Sequence, residues 1–331
     1  MEIKAADVAK LRQMTGAGMM DCKKALVEAN GDYERAKEII REKGKLVAAK
    51  RADRETSEGA VIAKVNGGKA IVVGLGCETD FVAKNAEFQA LAEAIAEAAI
   101  ANFPADKDAL MACVLADGRT VEAAVTEQTG KTGEKHVIVA YETVEAPFIS
   151  AYMHKITGKL AAVVGFNKAF DEQTAKGVAM QVASMNPVAV SAESVPQNVI
   201  DVELKTATEK TKEELVQKAV DAALNKAGIN PAHVDSEAHI ESNQAKGWIT
   251  AEQAEQAREI IKTVSAEKAA NLPEQMVANI AKGRLQKFFK EQTLEEQGYQ
   301  MGDGKTPVKD VVKAADAEAK ILAFKRVSLA D

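Results

Sequence analysis

The residues best able to act on another molecule lie between residues 74 and 88, where two structural patterns meet. An apolar run rich in β-branched residues comes first and predicts a strand. From Phe88 onward, apolar residues at helical spacing predict a helix. Thr79 and Asp80 lie between them, and both side chains suit an N-cap, where they accept hydrogen bonds from free backbone amides. We therefore expect Phe81 in the first helical turn, at a strand-to-helix corner.

Two roles fit Phe81 on this pattern. The residue precedes Phe88 by seven positions, so both rings could lie on one buried face of a continuous helix. Alternatively, the Phe81 ring points outward as an apolar wedge for a partner protein. Helical periodicity does not separate these alternatives.

The wording of this segment resembles the signature of bacterial elongation factor Ts, a family that catalyses nucleotide exchange on the GTPase elongation factor Tu. The resemblance implies that the Asp-Phe pair reaches the partner's nucleotide site, where the phenylalanine wedges between partner helices and disturbs bound Mg²⁺. The family usually has Glu and Asn where this chain has Gly74 and Gly76, a change that affects hydrogen bonding at the strand end. The residues of the implied exchange motif are Thr79, Asp80, Phe81 and Val82.

A second resemblance to the same family covers residues 11–26, which include a Gly-rich loop followed by two methionines. It implies a three-helix bundle, similar to a ubiquitin-associated domain, that docks on the partner's GTPase domain. Methionine suits an adaptable apolar contact, and cations at the rim steer association. The alternatives are that the methionines fill the bundle core and that the cations are simply solvated. The implied docking residues are Arg12, Met19, Met20 and Lys23.

Composition limits the class of protein. The chain has 331 residues, which indicates two or three domains, and 47% hydrophobic with 4% aromatic residues favours helices. A net charge of −6 argues against direct nucleic-acid binding. No apolar run approaches the ~20 residues that span a bilayer, and the first residues resemble neither a signal nor a transit peptide. Three widely spaced cysteines fit a reducing cytoplasm, so we expect a cytoplasmic protein without membrane contact.

The sequence gives little support to an enzyme that performs covalent chemistry. It has no phosphate-binding Gly-x-x-x-x-Gly-Lys-Ser/Thr loop, its four histidines lack metal-ligand spacing, and no cysteine lies in a nucleophile signature. We therefore expect a nucleotide exchange factor without cofactor or metal. The alternative is a non-catalytic adaptor that binds a ubiquitin-like or ribosomal partner through the N-terminal bundle. Such an adaptor would depend on Met19 and Met20 but not on Phe81.

The predicted fold class is α+β, with an N-terminal three-helix bundle, two repeated hairpin-plus-helix subdomains with small antiparallel sheets, and a long helical hairpin insertion. We place a partner-docking domain at 1–54, core subdomain 1 at 55–145 and core subdomain 2 at 146–331, with the hairpin at 196–290. Residues 104–130 are predicted helical, with Pro104 near the first turn and Thr120 as a helix cap. These boundaries follow from turn signals and changes in periodicity.

The two core subdomains are related by an internal repeat. Val-Val-Gly at 72–74 recurs at 163–165, and the same offset pairs Asp80 with Asp171. We infer that this aspartate caps a helix in both copies. Because the residue after Asp171 is a glutamate, the phenylalanine is specific to the first copy, which favours the outward role for Phe81.

The second copy also resembles the family, from residue 152 to residue 187. The resemblance implies that His154 contacts the partner's far β-domain, whereas a lone histidine on a strand can equally be a hydrogen-bonded structural residue. The helical hairpin serves self-association or partner contact in some relatives, and here it is enlarged between Thr208 and Asn271. Trp248 within it fits either an interface or the hairpin's own core.

Overall fold

The computed structural model describes residues 3–330, and the chain divides into two compact units. The first unit comprises the residues up to 190 and those from 294 onward, and the second comprises 191–293. The α+β class is confirmed. The finer domain boundaries at 54 and 145 stay predictions. Along the described chain, no helix combines the length and apolarity that crossing a bilayer requires.

The elements of the first unit alternate between helices and short strands. In chain order they are α1 (Ala5–Thr15), α2 (Met19–Glu28), α3 (Tyr33–Lys50), β1 (Glu58–Asn66), β2 (Lys69–Cys77), α4 (Asp80–Ala83), α5 (Ala86–Asn102), α6 (Lys107–Ala112), α7 (Val121–Thr132), β3 (Val137–Glu145), β4 (Phe148–Met153), β5 (Leu160–Phe166) and α8 (Glu172–Met185). After the second unit, α13 (Val308–Ala315) and β6 (Ile321–Ser328) complete the first. The second unit contains α9 (Gln197–Lys226), α10 (Glu237–Ala245), α11 (Ala251–Ala270) and α12 (Glu274–Gln292).

The first three helices pack into a small bundle around Leu11, Cys22 and Leu26. Glycine ends α1 because Gly16 has a φ of +67°, a left-handed conformation that costs other residues more. Asp32 caps the start of the third helix, because its carboxylate accepts hydrogen bonds from the backbone amides of Glu34 and Arg35. A glycine thus sets the end of α1, and an aspartate sets the start of α3.

Two three-stranded antiparallel sheets follow one plan. Their strand orders are β1-β2-β3 and β4-β5-β6, and in each the central strand carries the repeated Val-Val-Gly. The ladder shifts register directly after Gly74 in the first sheet and after Gly165 in the second. One extra residue on the third strand, Val139 or Leu322, is left unpaired there, as in a β-bulge. The sequence repeat thus corresponds to a structural repeat.

The core of the first unit has four layers. One face of each sheet packs against the other sheet, through small and β-branched residues such as Val72 and Val163. The outer face of the first sheet is covered by α5 and α7, with Phe88 and Ile95 fully buried. The outer face of the second is covered by α8 and α13. Each strand between two apolar layers must be apolar on both faces, which explains the continuous run in β2.

The second unit consists of helices joined by short turns. The long helix α9 packs against both α11 and α12, so the return arm of the predicted hairpin is divided into two helices. The division falls where Pro273 caps α12, because proline cannot continue the preceding helix. A compact apolar cluster around Leu224, Ile240 and Ala257 joins α9, α10 and α11.

Two expectations for subdomain 1 need correction. Pro104 lies outside any helix, since α6 begins at Lys107 and is capped by the Asp106 side chain. The expected cap at Thr120 is confirmed, since its side chain accepts from the Ala123 amide at the start of α7, but an extended bridge between Val114 and Thr120 interrupts the helical structure before it. The strand β3 was absent from the sequence interpretation, although its alternating β-branched residues are a usual strand signal.

The bundle is held against subdomain 1 by a close crossing of α3 over α7. A Cβ atom added at Gly130 would lie 3.1 Å from the Cα of Gly44, so the two helix backbones nearly touch. Beside the crossing, Arg41 of α3 forms an ion pair with Glu127 of α7 at 2.9 Å. Glycine at both crossing positions lets this approach occur without a side-chain clash.

We therefore expect Gly130→Ala to loosen the bundle. The added methyl should lower the opening free energy of α3 by about 1–2 kcal/mol, because overpacking against backbone atoms cannot relax. Gly283→Ala in α12 is the matched control, since an added Cβ there meets no atom within 4 Å. Amide hydrogen exchange of α3 measures the effect. Equal exchange of α3 in wild type and Gly130→Ala would contradict the close crossing.

Candidate functional site

The candidate site is a four-residue helical turn, α4, directly after β2. Thr79 is its N-cap, and its hydroxyl accepts a hydrogen bond from the Val82 amide at 3.4 Å. A new helix, α5, then begins under the cap of Asn85, which accepts from the Glu87 amide at 2.8 Å. The continuous helix expected from the periodicity is therefore two helices.

This break separates two phenylalanines that the seven-residue spacing placed on one face. Phe88 on α5 is fully buried, whereas Phe81 on α4 is 83% exposed. The core alternative for Phe81 is wrong. A phenylalanine ring in water forgoes ~1.5–3 kcal/mol of burial free energy, so this position is a candidate for contact with another molecule.

Asp80 does not cap a helix, contrary to the inference from the repeat. Its carboxylate instead accepts a hydrogen bond from Lys84 Nζ at 2.7 Å, one turn later on the exposed surface. This bond and the lysine's charge lower the pKa of Asp80, which is therefore ionised at neutral pH. In the second copy Asp171 does cap α8, accepting from the Thr174 amide at 2.7 Å. The difference arises because Thr79 already occupies the cap in the first copy.

Glu134, in the loop between α7 and β3, anchors the turn. Its carboxylate accepts hydrogen bonds from the Thr79 amide at 3.1 Å and from the Thr79 hydroxyl at 2.7 Å. Thr79 thus donates its hydroxyl proton to Glu134 while the same oxygen accepts from Val82. The side chain that starts the turn is fixed from both sides.

Glu78 ties the same corner to the end of α3. Its carboxylate accepts two bonds from Arg51, both at 2.8 Å, and one from the Lys135 backbone amide at 2.6 Å. Partial burial works to raise the pKa of Glu78, but the Lys135 amide and the Arg51 guanidinium together lower it. Charge-assisted bonds of this kind are stronger than neutral ones, so the corner is rigidly attached to the bundle.

His136 is buried next to this corner, and its structural role there is not predicted from the sequence. Its ring is buried 5.5 Å from the Phe88 ring, between centroids, and Nδ1 lies 2.9 Å from the Glu134 carbonyl oxygen. Because a carbonyl only accepts, Nδ1 carries the proton, and Nε2 has no hydrogen-bond partner among the described residues. Burial lowers the pKa of His136. No local pattern in the sequence distinguishes such a residue.

Gly74 and Gly76, near the end of β2, have a packing role. A Cβ atom at Gly74 or Gly76 would lie 2.8 Å from a γ-methyl of Val139, the bulged residue of β3. The β1–β2 ladder nevertheless runs on to the pair of Glu58 with Cys77. The strand end therefore keeps its hydrogen bonds, and the glycines make room for the bulge.

The implied docking residues of the bundle are on its surface. Met19 is 46% and Met20 63% exposed, so the alternative that they fill the core is wrong. Arg12 and Lys23 are also exposed, and neither forms an ion pair with another described residue. Arg12 and Met19 line one cleft together with Met14, also exposed. An apolar surface with cations at its edge fits a protein contact.

His154 lies in the turn after β4 and not within a strand. Its Nδ1 is 3.0 Å from the Thr157 hydroxyl, and its backbone pairs with the start of β5. The structural role considered for this residue is therefore present in the turn. The neighbouring Ile156 is 92% exposed at the tip of the same turn. Contact of His154 with a partner stays a prediction.

Trp248, in the second unit, is 62% exposed, so the alternative that it lies in the hairpin's own core is wrong. The Lys246 ammonium lies 5.2 Å from the centre of its ring, and the His233 ring is 5.7 Å away. Self-association through this unit stays a prediction.

The grouping of possible metal ligands and the state of the Cys77 thiol bear on the chemistry of the site. Within 3–330, no three His, Cys, Asp or Glu side chains are grouped to hold a metal ion. The Cys77 thiol is buried, which raises its pKa to about 12 and makes it a poor nucleophile. What the candidate site can do is present an apolar ring and a carboxylate from a rigid corner.

Comparison with known proteins identifies close relatives of the chain. Residues 78–331 match the model of the family described as Elongation factor TS. The chain is 56% identical to elongation factor Ts of Bacteroides fragilis over 329 residues, which is 99% of both proteins. It is 55% identical to that of Phocaeicola vulgatus and 42% identical to that of Christiangramia forsetii, again over 99% of each.

Gly76→Ala should destabilise the first unit by about 1–3 kcal/mol, because its methyl would overlap the Val139 side chain. Val139→Ala removes the γ-methyls in question, so the double variant should regain part of the loss. Urea denaturation of the wild type, both single variants and the double variant measures this coupling. Strictly additive losses would show that the glycine does not accommodate the bulge.

His136 should make stability fall in weak acid. Because the pKa of His136 is lowered in the folded chain, its ring takes up a second proton less readily there than in the unfolded chain, where a histidine has a pKa near 6.5. Below that pH the unfolded state binds more protons, so the unfolding free energy decreases as pH falls, by at most ~1.4 kcal/mol per pH unit. His136→Asn keeps an N–H donor near Nδ1 and should flatten this slope between pH 7 and 5. Phe88→Leu, the control, should lower stability but leave the slope unchanged, and a slope unaffected by His136→Asn would contradict this assignment.

Proposed function

Because the chain belongs to the elongation factor Ts family, we propose that it is a guanine nucleotide exchange factor for elongation factor Tu in translation elongation. It performs no covalent chemistry. It binds the GDP form of its partner, displaces Mg²⁺ and promotes GDP release by inserting Asp80 and Phe81. The observation that carries this proposal is the 83% exposure of Phe81 on an anchored turn.

The energetic basis of exchange is linkage between two ligands of one protein. A GTPase holds GDP through phosphate contacts and Mg²⁺. A factor that binds the nucleotide-free state more tightly must weaken nucleotide binding by the same factor. Full burial of a phenylalanine ring is worth ~1.5–3 kcal/mol, which corresponds to a change of roughly 10- to 150-fold in relative affinity. One inserted ring can thus supply a substantial part of the coupling.

Anchoring of the turn makes this insertion efficient. Binding by a flexible segment loses free energy to the ordering of that segment, whereas a preformed one avoids that loss. In this chain, Glu134 and Val82 already fix the Thr79 side chain in the free protein. Asp80, ionised beside Lys84, adds a carboxylate that can accept hydrogen bonds from the partner.

The remaining contacts provide grip away from the nucleotide. The bundle docks through Met19 and Met20, with Arg12 and Lys23 at the rim, and the crossing of α3 over α7 holds that surface near the α4 turn. His154 contributes a second contact from the other subdomain. The complex forms with both the GDP-bound and the nucleotide-free partner, since exchange requires passage between them.

Phe81→Ala should separate exchange from binding. The variant should still bind elongation factor Tu through the bundle, while its acceleration of GDP release falls about tenfold or more because the ring's burial is lost. Release of a fluorescent GDP analogue measures this, and the deficit should shrink at low free Mg²⁺, where no metal needs to be displaced. Val114→Ala, at another exposed apolar residue of the same subdomain, should release GDP as fast as wild type.

Two results would contradict the proposal. A wild-type chain that binds elongation factor Tu without speeding GDP release would favour an adaptor that acts through Met19 and Met20. A Phe81→Ala variant as fast as wild type would leave exchange intact but remove the wedge from it.

A further inference from the structure

Glu134 lies outside the α4 turn, yet its carboxylate fixes Thr79, the residue from which the turn begins. We propose that Glu134 is a positioning residue for nucleotide exchange, which holds the turn in the conformation that presents Phe81. This inference rests on the proposed function, in which Phe81 is the inserted residue. Glu134 lies 55 positions after Thr79 in the chain, so the contact is tertiary and not part of the motif.

The hydrogen-bond geometry carries the first step. One carboxylate oxygen accepts the Thr79 amide proton at 3.1 Å and the other accepts the Thr79 hydroxyl proton at 2.7 Å. A glutamine side chain could not accept these two bonds on separate oxygens, because it has one acceptor oxygen and an NH2 group that only donates. With its proton directed at Glu134, the hydroxyl oxygen presents a lone pair to the Val82 amide at 3.4 Å. Glu134 therefore sets the orientation of the cap.

The second step is that two chain segments hold each other. Glu134 accepts from the Thr79 amide, while Glu78 accepts from the Lys135 amide at 2.6 Å. Residues adjacent in sequence thus exchange carboxylate-to-amide bonds across the corner. Arg51 offsets the negative charge of Glu78 with two bonds at 2.8 Å, which reduces the repulsion between the two carboxylates.

The third step is that α4 cannot hold itself. A helix of four residues contains about one turn, and an isolated turn is unfavourable because nucleation fixes several dihedral angles for one hydrogen bond. The exposed ring adds no packing of its own, since Phe81 is 83% exposed. Ala83 and Val82 pack against the core at the end of the turn, and the hydrogen bonds that Thr79 donates to Glu134 fix its beginning.

The test compares Glu134→Gln with wild type and with Glu142→Gln. Glu142 is a matched control because it lies on β3, the strand that follows Glu134, and pairs with Lys325 at 2.7 Å, away from the turn. In the free protein, amide exchange of residues 79–84 should be about tenfold faster in Glu134→Gln, as loss of a bond to a charged acceptor allows. The maximal rate of fluorescent GDP release from elongation factor Tu should fall about tenfold. The concentration of this chain that gives half of the maximal rate should change less. Glu142→Gln should change neither quantity.

A double variant distinguishes positioning from general stabilisation. If Glu134 acts by positioning the turn, combining Phe81→Ala with Glu134→Gln should slow GDP release by less than the product of the two single losses, because only Asp80 is then left to be misplaced. Multiplied losses would show that Glu134 acts independently of Phe81 and would overturn the proposal. So would a Glu134→Gln variant equal to wild type in both assays. If wild type itself fails to speed release, the exchange function fails, and the amide exchange of 79–84 then decides separately whether Glu134 orders the turn.

Discussion

The structure keeps the large apolar ring of Phe81 in water, and other contacts must order the corner that carries it. A phenylalanine near a protein core normally folds back onto it, because burial is favourable by a few kcal/mol. Phe81 does not, since α4 ends before Asn85 starts a new helix and the buried face is taken by Phe88. Polar bonds to Thr79 oppose the rearrangement that would bury the ring. The corner is thus ordered by hydrogen bonds while its largest apolar group stays free.

The surrounding layers make that corner rigid. The strand β2 lies between β1 and β3 and is apolar on both faces, so its end has a fixed position. The glycines at its end accept the bulge of β3, and the loop that leads into β3 contains Glu134. The bundle joins the same corner through Arg51 and through the glycine crossing of α3 over α7. The exposed surface of the bundle and the Phe81 ring therefore belong to one connected framework.

Local signals in the sequence predict much of this framework and miss its tertiary parts. The strand at β2, the N-cap at Thr79 and the hairpin of each core subdomain depend on neighbouring residues, and they are found. Helical periodicity does not predict the exposure of Phe81, because the seven-residue spacing to Phe88 has meaning only within a continuous helix. The bonds of Glu134 join residues far apart in the chain, and no periodicity encodes them. The repeat was informative about sheets but misleading about Asp80, since Thr79 one position earlier is the better-placed cap.

We expect the α4 turn to be preformed in the free chain and to carry Phe81 unchanged into the complex. The decisive measurement is an experimental structure of this chain bound to nucleotide-free elongation factor Tu. In that structure the bonds from Thr79 to Glu134 should persist, and the Phe81 ring should be buried against the partner beside its nucleotide site. A complex in which the ring remains in solvent, or in which the turn has refolded away from Glu134, would contradict it.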